Sequence, residues 1–141
     1  MRKCSVRITL LSLLVGSLVW GHGEEKPGPH GGFIKMPGSF HTELVVDGPR
    51  RAKIYLLDFE WKNPTLQDSS VVLTLHGRGR VRANCVQAND HYVCEFSPAV
   101  DLGKKGALVL EAVRAKQKGQ SVRYELPLTN SLGDKGHGQH H

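Results

Sequence analysis

Two imidazoles, a carboxylate and a thioether fall within fourteen positions of this chain. They are His30, Met36, His41 and Glu43, in the stretch GPHGGFIKMPGSFHTELVV that runs from Gly28 to Val46. Imidazole with thioether suits copper, and imidazole with carboxylate suits zinc or copper. Strand side chains alternate, so His41 and Glu43 point to one face about 7 Å apart, while Thr42, Leu44 and Val46 point to the other, towards a core. His30 lies in a loop of glycines that lets the backbone fold tightly over that face, and Met36 falls on the neighbouring strand or turn. The expected ligands are therefore His30, His41 and Glu43, with Met36 as a fourth that tilts the site towards Cu(I). The expected ion is copper, with zinc as the alternative. The competing reading leaves His41 and Glu43 as ordinary surface residues.

Other histidines give weaker metal readings. A cut after Gly21 makes His22 the mature N-terminus, where its amine and imidazole chelate copper together with His30 or His41. The tail SLGDKGHGQHH carries His137, His140 and His141, a set suited to loose metal capture. His76 and His91 stand alone beside turn residues and read as turn or surface positions. A blue-copper site is disfavoured, because Cys94 is followed by Glu95, Phe96, Ser97, Pro98 and Ala99, with no ligand among them.

The elements that must position these side chains are strands. Apolar residues alternate or run in short blocks near 33–36, 41–47, 52–59, 71–75, 81–87, 91–96, 107–115 and 121–126, with Gly, Pro and Asn turn signals between them. The stretch 107–118 is rich in helix formers, but its flanking glycines and the strand that follows favour a hairpin. The expected fold is all-β: an immunoglobulin-like sandwich of 7–8 antiparallel strands in two sheets. Residues 1–21 read as a signal peptide, with a basic start at Arg2, Lys3 and Arg7 and an apolar run from Ile8 to Trp20 too short for a membrane span. A flexible arm (22–32), the sandwich (33–130) and a flexible His-rich tail (131–141) follow.

The net charge of +6 falls to +3 without Arg2, Lys3 and Arg7, since residues 1–21 hold no acidic side chain. Arg78, Arg80 and Arg82 lack the interleaved aromatics of a single-strand platform and read as a solvated strand face, so no nucleic-acid partner is expected, and the short apolar run from Ile8 to Trp20 gives no stable membrane anchor. Cys85 and Cys94 form an even pair in an exported chain, which favours a disulfide over a two-thiolate metal site. A two-residue Asn89-Asp90 turn would set them opposite each other at a non-hydrogen-bonded pair, with α-carbons about 4.5 Å apart. No nucleophile elbow, zinc-protease helix, phosphate loop or dinucleotide pattern is found, and an enzyme is not expected.

The combination G-P-H-G-G, a short strand and then H-x-E-L-V resembles a motif of small exported proteins associated with heavy-metal resistance. It is similar to a domain in periplasmic adaptor subunits of heavy-metal efflux pumps. The matching residues are Pro29, His30, Gly31, Gly32, His41, Glu43, Leu44 and Val45, with Tyr55-Leu56-Leu57-Asp58 and Lys62-Asn63-Pro64-Thr65 further on. The resemblance covers about 28–75. It implies a periplasmic β-sandwich that handles copper, zinc or a similar ion as a stand-alone module, a buffer or accessory of an efflux component. The alternative expectation is a non-catalytic immunoglobulin-like interaction module of the cell envelope.

Overall fold

The computed structural model describes residues 26–128. The expected signal peptide, the cut before His22 and the tail histidines His137, His140 and His141 lie outside the described residues.

Ten strands form two antiparallel sheets, with no helix among the described residues. The first sheet has the order β1 (Phe33–Lys35), β2 (His41–Val46), β3 (Arg51–Leu57), β7 (His91–Glu95), β6 (Asn84–Ala88). The second has the order β10 (Val122–Leu126), β8 (Gly106–Arg114), β4 (Ser70–His76), β5 (Arg80–Arg82), and β9 (Gln117–Lys118) also pairs with β8. The row β2-β3-β7-β6 stands in the A-B-E-D order of an immunoglobulin sandwich, and β10-β8-β4-β5 in its G-F-C-C′ order. The expected fold class is therefore the observed one, with β1 as an added edge strand.

Inward-facing residues of both layers make the core. Leu44, Ile54, Leu56, Tyr92 and Phe96 of the first sheet meet Leu73, Leu110, Tyr124 and Leu126 of the second. The sheets are also joined by a polar contact. Thr42 Oγ1 and Tyr124 Oη lie 2.9 Å apart in the buried interior. Burial pushes the Tyr124 phenol far above its ordinary range, so it stays protonated and holds that bond.

One boundary differs from the sequence expectation. The stretch 81–87, read as one strand, is two strands in different sheets. Ala83 is buried at the crossing and its N–H bonds to Leu73 O at 2.9 Å, which ends β5 and starts β6. The hairpin preferred for 107–118 is present as β8 and β9, turned by Ala115 and Lys116 in the left-handed region (φ 46° and 68°).

The β6–β7 hairpin has the expected register, Ala88 with His91 and Cys85 with Cys94, and Asn89 takes the positive φ that the tight turn requires. The disulfide closes with α-carbons 4.0 Å apart. It lies within one sheet, unlike the inter-sheet bridge of antibody domains. Replacing Cys85 and Cys94 together by Ala should lower stability by about 2–3 kcal/mol, the chain-entropy value for so short a loop, as read by urea unfolding.

Candidate metal centre

Strand β2 is buried along both faces from His41 to Leu44, although alternation alone would leave one face wet. The outward face is roofed by two loops. Residues 28–32 cover Glu43, and the turn after β3 covers His41.

Glu43 is fully buried. A carboxylate there needs several charge-satisfying partners, because desolvation alone costs several kcal/mol. It has three. Oε1 accepts the backbone N–H of His30 at 2.8 Å and of Gly32 at 3.0 Å, and Oε2 accepts from His30 Nδ1 at 2.6 Å. The convergent N–H groups are made by a tight turn. Gly31 N bonds to Gly28 O and Gly28 N to Gly32 O, both at 2.9 Å, with Gly31 at φ 76°. The loop also lies directly on the strand. A Cβ on Gly32 would stand 2.6 Å from Leu44 O, and one on Gly28 would overlap the Glu43 carboxylate. This stretch of the expected flexible arm is thus a packed turn.

The His30 ring is sandwiched as well as bonded. It stacks on Tyr55 with centroids 3.6 Å apart and planes 7° from parallel. Tyr55 faces Glu43 across the β2–β3 register and stacks in turn on His91, 4.7 Å away. His91 Nδ1 lies 3.0 Å from Asp90 Oδ1. Burial first, then the negative charges of Asp90 and Glu43, push the Tyr55 phenol upward, so it remains neutral between the two imidazoles.

His41 stands two positions from Glu43 on the same face, and its Nδ1 donates to Asp58 O at 3.1 Å. The Asp58 side chain builds the turn that supplies this carbonyl. Oδ1 accepts the N–H groups of Glu60 and Lys62, each at 2.9 Å, and Oδ2 accepts from Asn63 Nδ2 at 2.7 Å. Trp61 (φ 63°) and Phe59 are thereby held against the His41 ring, both with centroids 5.9 Å from it. The Lys62 N–H above all, with Asn63 and Glu60, holds the Asp58 carboxyl below its ordinary value.

Three outward-facing histidines therefore share one pattern. His30, His41 and His91 each direct Nδ1 at an oxygen acceptor, so the neutral ring keeps its lone pair on Nε2. Of the expected ligands, the structure brings His30 and Glu43 into direct contact, and sets His41 two residues from Glu43 on the same face of β2, against Asp58 O, Phe59 and Trp61. Met36 follows Lys35, the partner of Thr42, and is 56% exposed at the His41 end of β2. Among the described residues no group of three or more His, Cys, Asp or Glu side chains is arranged to hold a metal ion. Sequence reasoning missed Tyr55, His91 and the Asp58 turn. The β2–β3 pairing would have placed Tyr55, while the stack needed three-dimensional geometry.

No protein-family model, curated protein or solved structure matches the chain.

Two outcomes test this site. Gly32→Ala should cost about 1–3 kcal/mol in urea unfolding, because its neighbours are strand backbone and Val45. Gly31→Ala meets open space and should cost only its left-handed φ, about 1 kcal/mol. The second concerns acid. Because the folded-state pKa of Asp58 is lowered, its contribution is present above the unfolded value and is lost as pH falls through the folded value. In a Trp20→Phe chain, the acid shift of Trp61 emission should have its midpoint below pH 3.8, the ordinary carboxyl value. Asp58→Asn should abolish that transition, and a midpoint at or above the ordinary value would refute the turn's role.

Proposed function

We propose that this chain is an exported, periplasmic transition-metal-binding protein, a buffer or accessory in heavy-metal resistance, with copper as its ion and zinc as the alternative. The observation that carries the reading is the buried Glu43 carboxylate on His30 Nδ1. A carboxylate on one nitrogen fixes the ring and raises the basicity of the other, the arrangement metal-binding imidazoles use. On this reading Glu43 orients His30, and the donors are His30 Nε2, His41 Nε2 and the Met36 thioether. Two imidazoles and a thioether suit copper best, and the thioether favours Cu(I). The resemblance of the G-P-H-G-G and H-x-E-L-V segments to heavy-metal-associated proteins supports the same assignment, as does the export signature at the start of the sequence.

A second reading is an immunoglobulin-like interaction module that docks on an envelope component through exposed apolar side chains, Met36 among them. Met36 and Phe59 are 56% and 68% exposed at the His41 end of the first sheet, beside Trp61. A docking module melts at one temperature with or without metal, whereas a metal site gains stability by mass action.

The test is titration of the exported chain, truncated after Asn130, with Cu(I), Cu(II) and Zn(II). One-to-one binding is expected, with His30→Ala and His41→Ala each weakening it at least about tenfold, or about 1.4 kcal/mol. Glu43→Gln keeps an oxygen for the two backbone N–H groups but loses the carboxylate, and should weaken binding about 10–100-fold. Absence of binding without the tail, or binding indifferent to His41→Ala, would overturn the proposal.

A further inference from the structure

The sandwich is electrically polar along its strands. Three loops from both sheets meet at the end opposite His41: the β2–β3 turn, the β4–β5 turn and the loop before β8. Register fixes the meeting, since His76, the last residue of β4, pairs with Ala107 on one side and Arg80 on the other. Leu102 N bonds to Pro49 O and Phe96 N to Arg50 O, both at 2.8 Å, which brings the β2–β3 turn to the same end. Arg50, Arg78, Arg80, Lys104 and Lys105 are all exposed there, with Arg82 further along the edge strand β5.

Among the described residues their charge is uncompensated. Of the four carboxylates at this end, Asp47, Glu95 and Glu125 lie within ion-pair distance of Arg51, Lys53 or Arg123, and Asp101 binds the Gly103 N–H through its side chain. Among the described residues no ion pair engages the five clustered cations or Arg82. With Arg50, Arg78, Arg80, Lys104 and Lys105 set aside, Lys and Arg equal Asp and Glu in number over 26–128, so the net positive charge of the described chain equals that of this cluster.

We propose that this basic pole is a docking surface for an anionic phospholipid bilayer. The cations sit at loop tips of both layers, an array matched to a planar, diffuse negative surface. Lys and Arg near such a surface are attracted additively, and salt screens the attraction within a Debye length of about 8 Å at physiological ionic strength. An acidic polypeptide would need a groove or pockets for alternate side chains, and among the described residues no large aromatic side chain is exposed at this pole to line one. The same lack of aromatics makes membrane contact electrostatic and reversible, without insertion. Docking this way leaves the face with His30 and His41, nearer the opposite end, open to the aqueous phase.

Vesicle sedimentation tests it, with the exported chain carrying its own processed N-terminus. Vesicles of phosphatidylcholine with about one-third phosphatidylglycerol should retain the chain at low salt and release it at high salt, and pure phosphatidylcholine should not retain it. The variant Arg78→Glu/Arg80→Glu/Lys104→Glu/Lys105→Glu should partition at least about tenfold less. Lys116→Glu/Lys118→Glu, an equally exposed pair at the other end, should bind as the parent does, and unchanged circular dichroism would show both variants folded. No retention on anionic vesicles, equal loss in the two variants, or retention on immobilised polyglutamate without vesicle binding would each overturn the proposal.

Discussion

A fully buried carboxylate constrains the outward face of this sandwich. Glu43 sits in the middle of β2, where an exposed face would let water solvate it. The fold instead covers it, and the coverage then has to supply what water would have supplied. Three hydrogen bonds do so, two of them from backbone N–H groups that only a tight turn can aim at one oxygen. That requirement explains the glycines on either side of His30: Gly31 for the left-handed turn, Gly32 for the contact with Leu44 O. The loop is held by the charge it hides.

This arrangement makes β2 a two-sided strand. Inward, Thr42 bonds to Tyr124 of the opposite sheet; outward, Glu43 and His41 anchor two loops. The second loop follows a similar logic with the polarity reversed. There the carboxylate of Asp58 is exposed and organises its own turn, and its backbone carbonyl receives the imidazole. A single strand thus ties the layers together and fixes the orientation of two rings. Among the described residues no ion pair constrains the clustered cations of the basic pole, whose long side chains are exposed.

The parts of this structure legible in the sequence were those set by local period and turn chemistry. Alternation gave Thr42 and Leu44 the inward face, and the Asn89-Asp90 turn gave the Cys85–Cys94 pairing, because both depend on neighbours a few residues away. The split of 81–87 was not legible, since crossing between sheets at Ala83 depends on a bond to Leu73 in another strand. At the site, the sequence put His30 near Glu43 but offered them as equal ligands. Their direct bond follows from the loop's fold over the strand, a contact thirteen residues apart that no period encodes. The His30–Tyr55–His91 stack lay further out of reach, because it joins a loop to two strands.

The choice of imidazole at position 30 bears on what the clasp is for. Arginine would close on a buried carboxylate with two parallel hydrogen bonds and would stack on Tyr55 equally well. Judged only as a device for holding the Glu43 carboxylate, histidine is the weaker choice, since its ring directs one N–H at the carboxylate where guanidinium directs two. What imidazole adds is the second nitrogen, which guanidinium lacks as an acceptor. With Nδ1 committed to Glu43, Nε2 is left as a lone-pair donor on a ring that is fixed by stacking and still 35% exposed at its side chain. His41 repeats the pattern through a backbone carbonyl. The same side chain meets the structural need and retains a ligand atom, and that double use is what the metal-binding proposal requires of this loop.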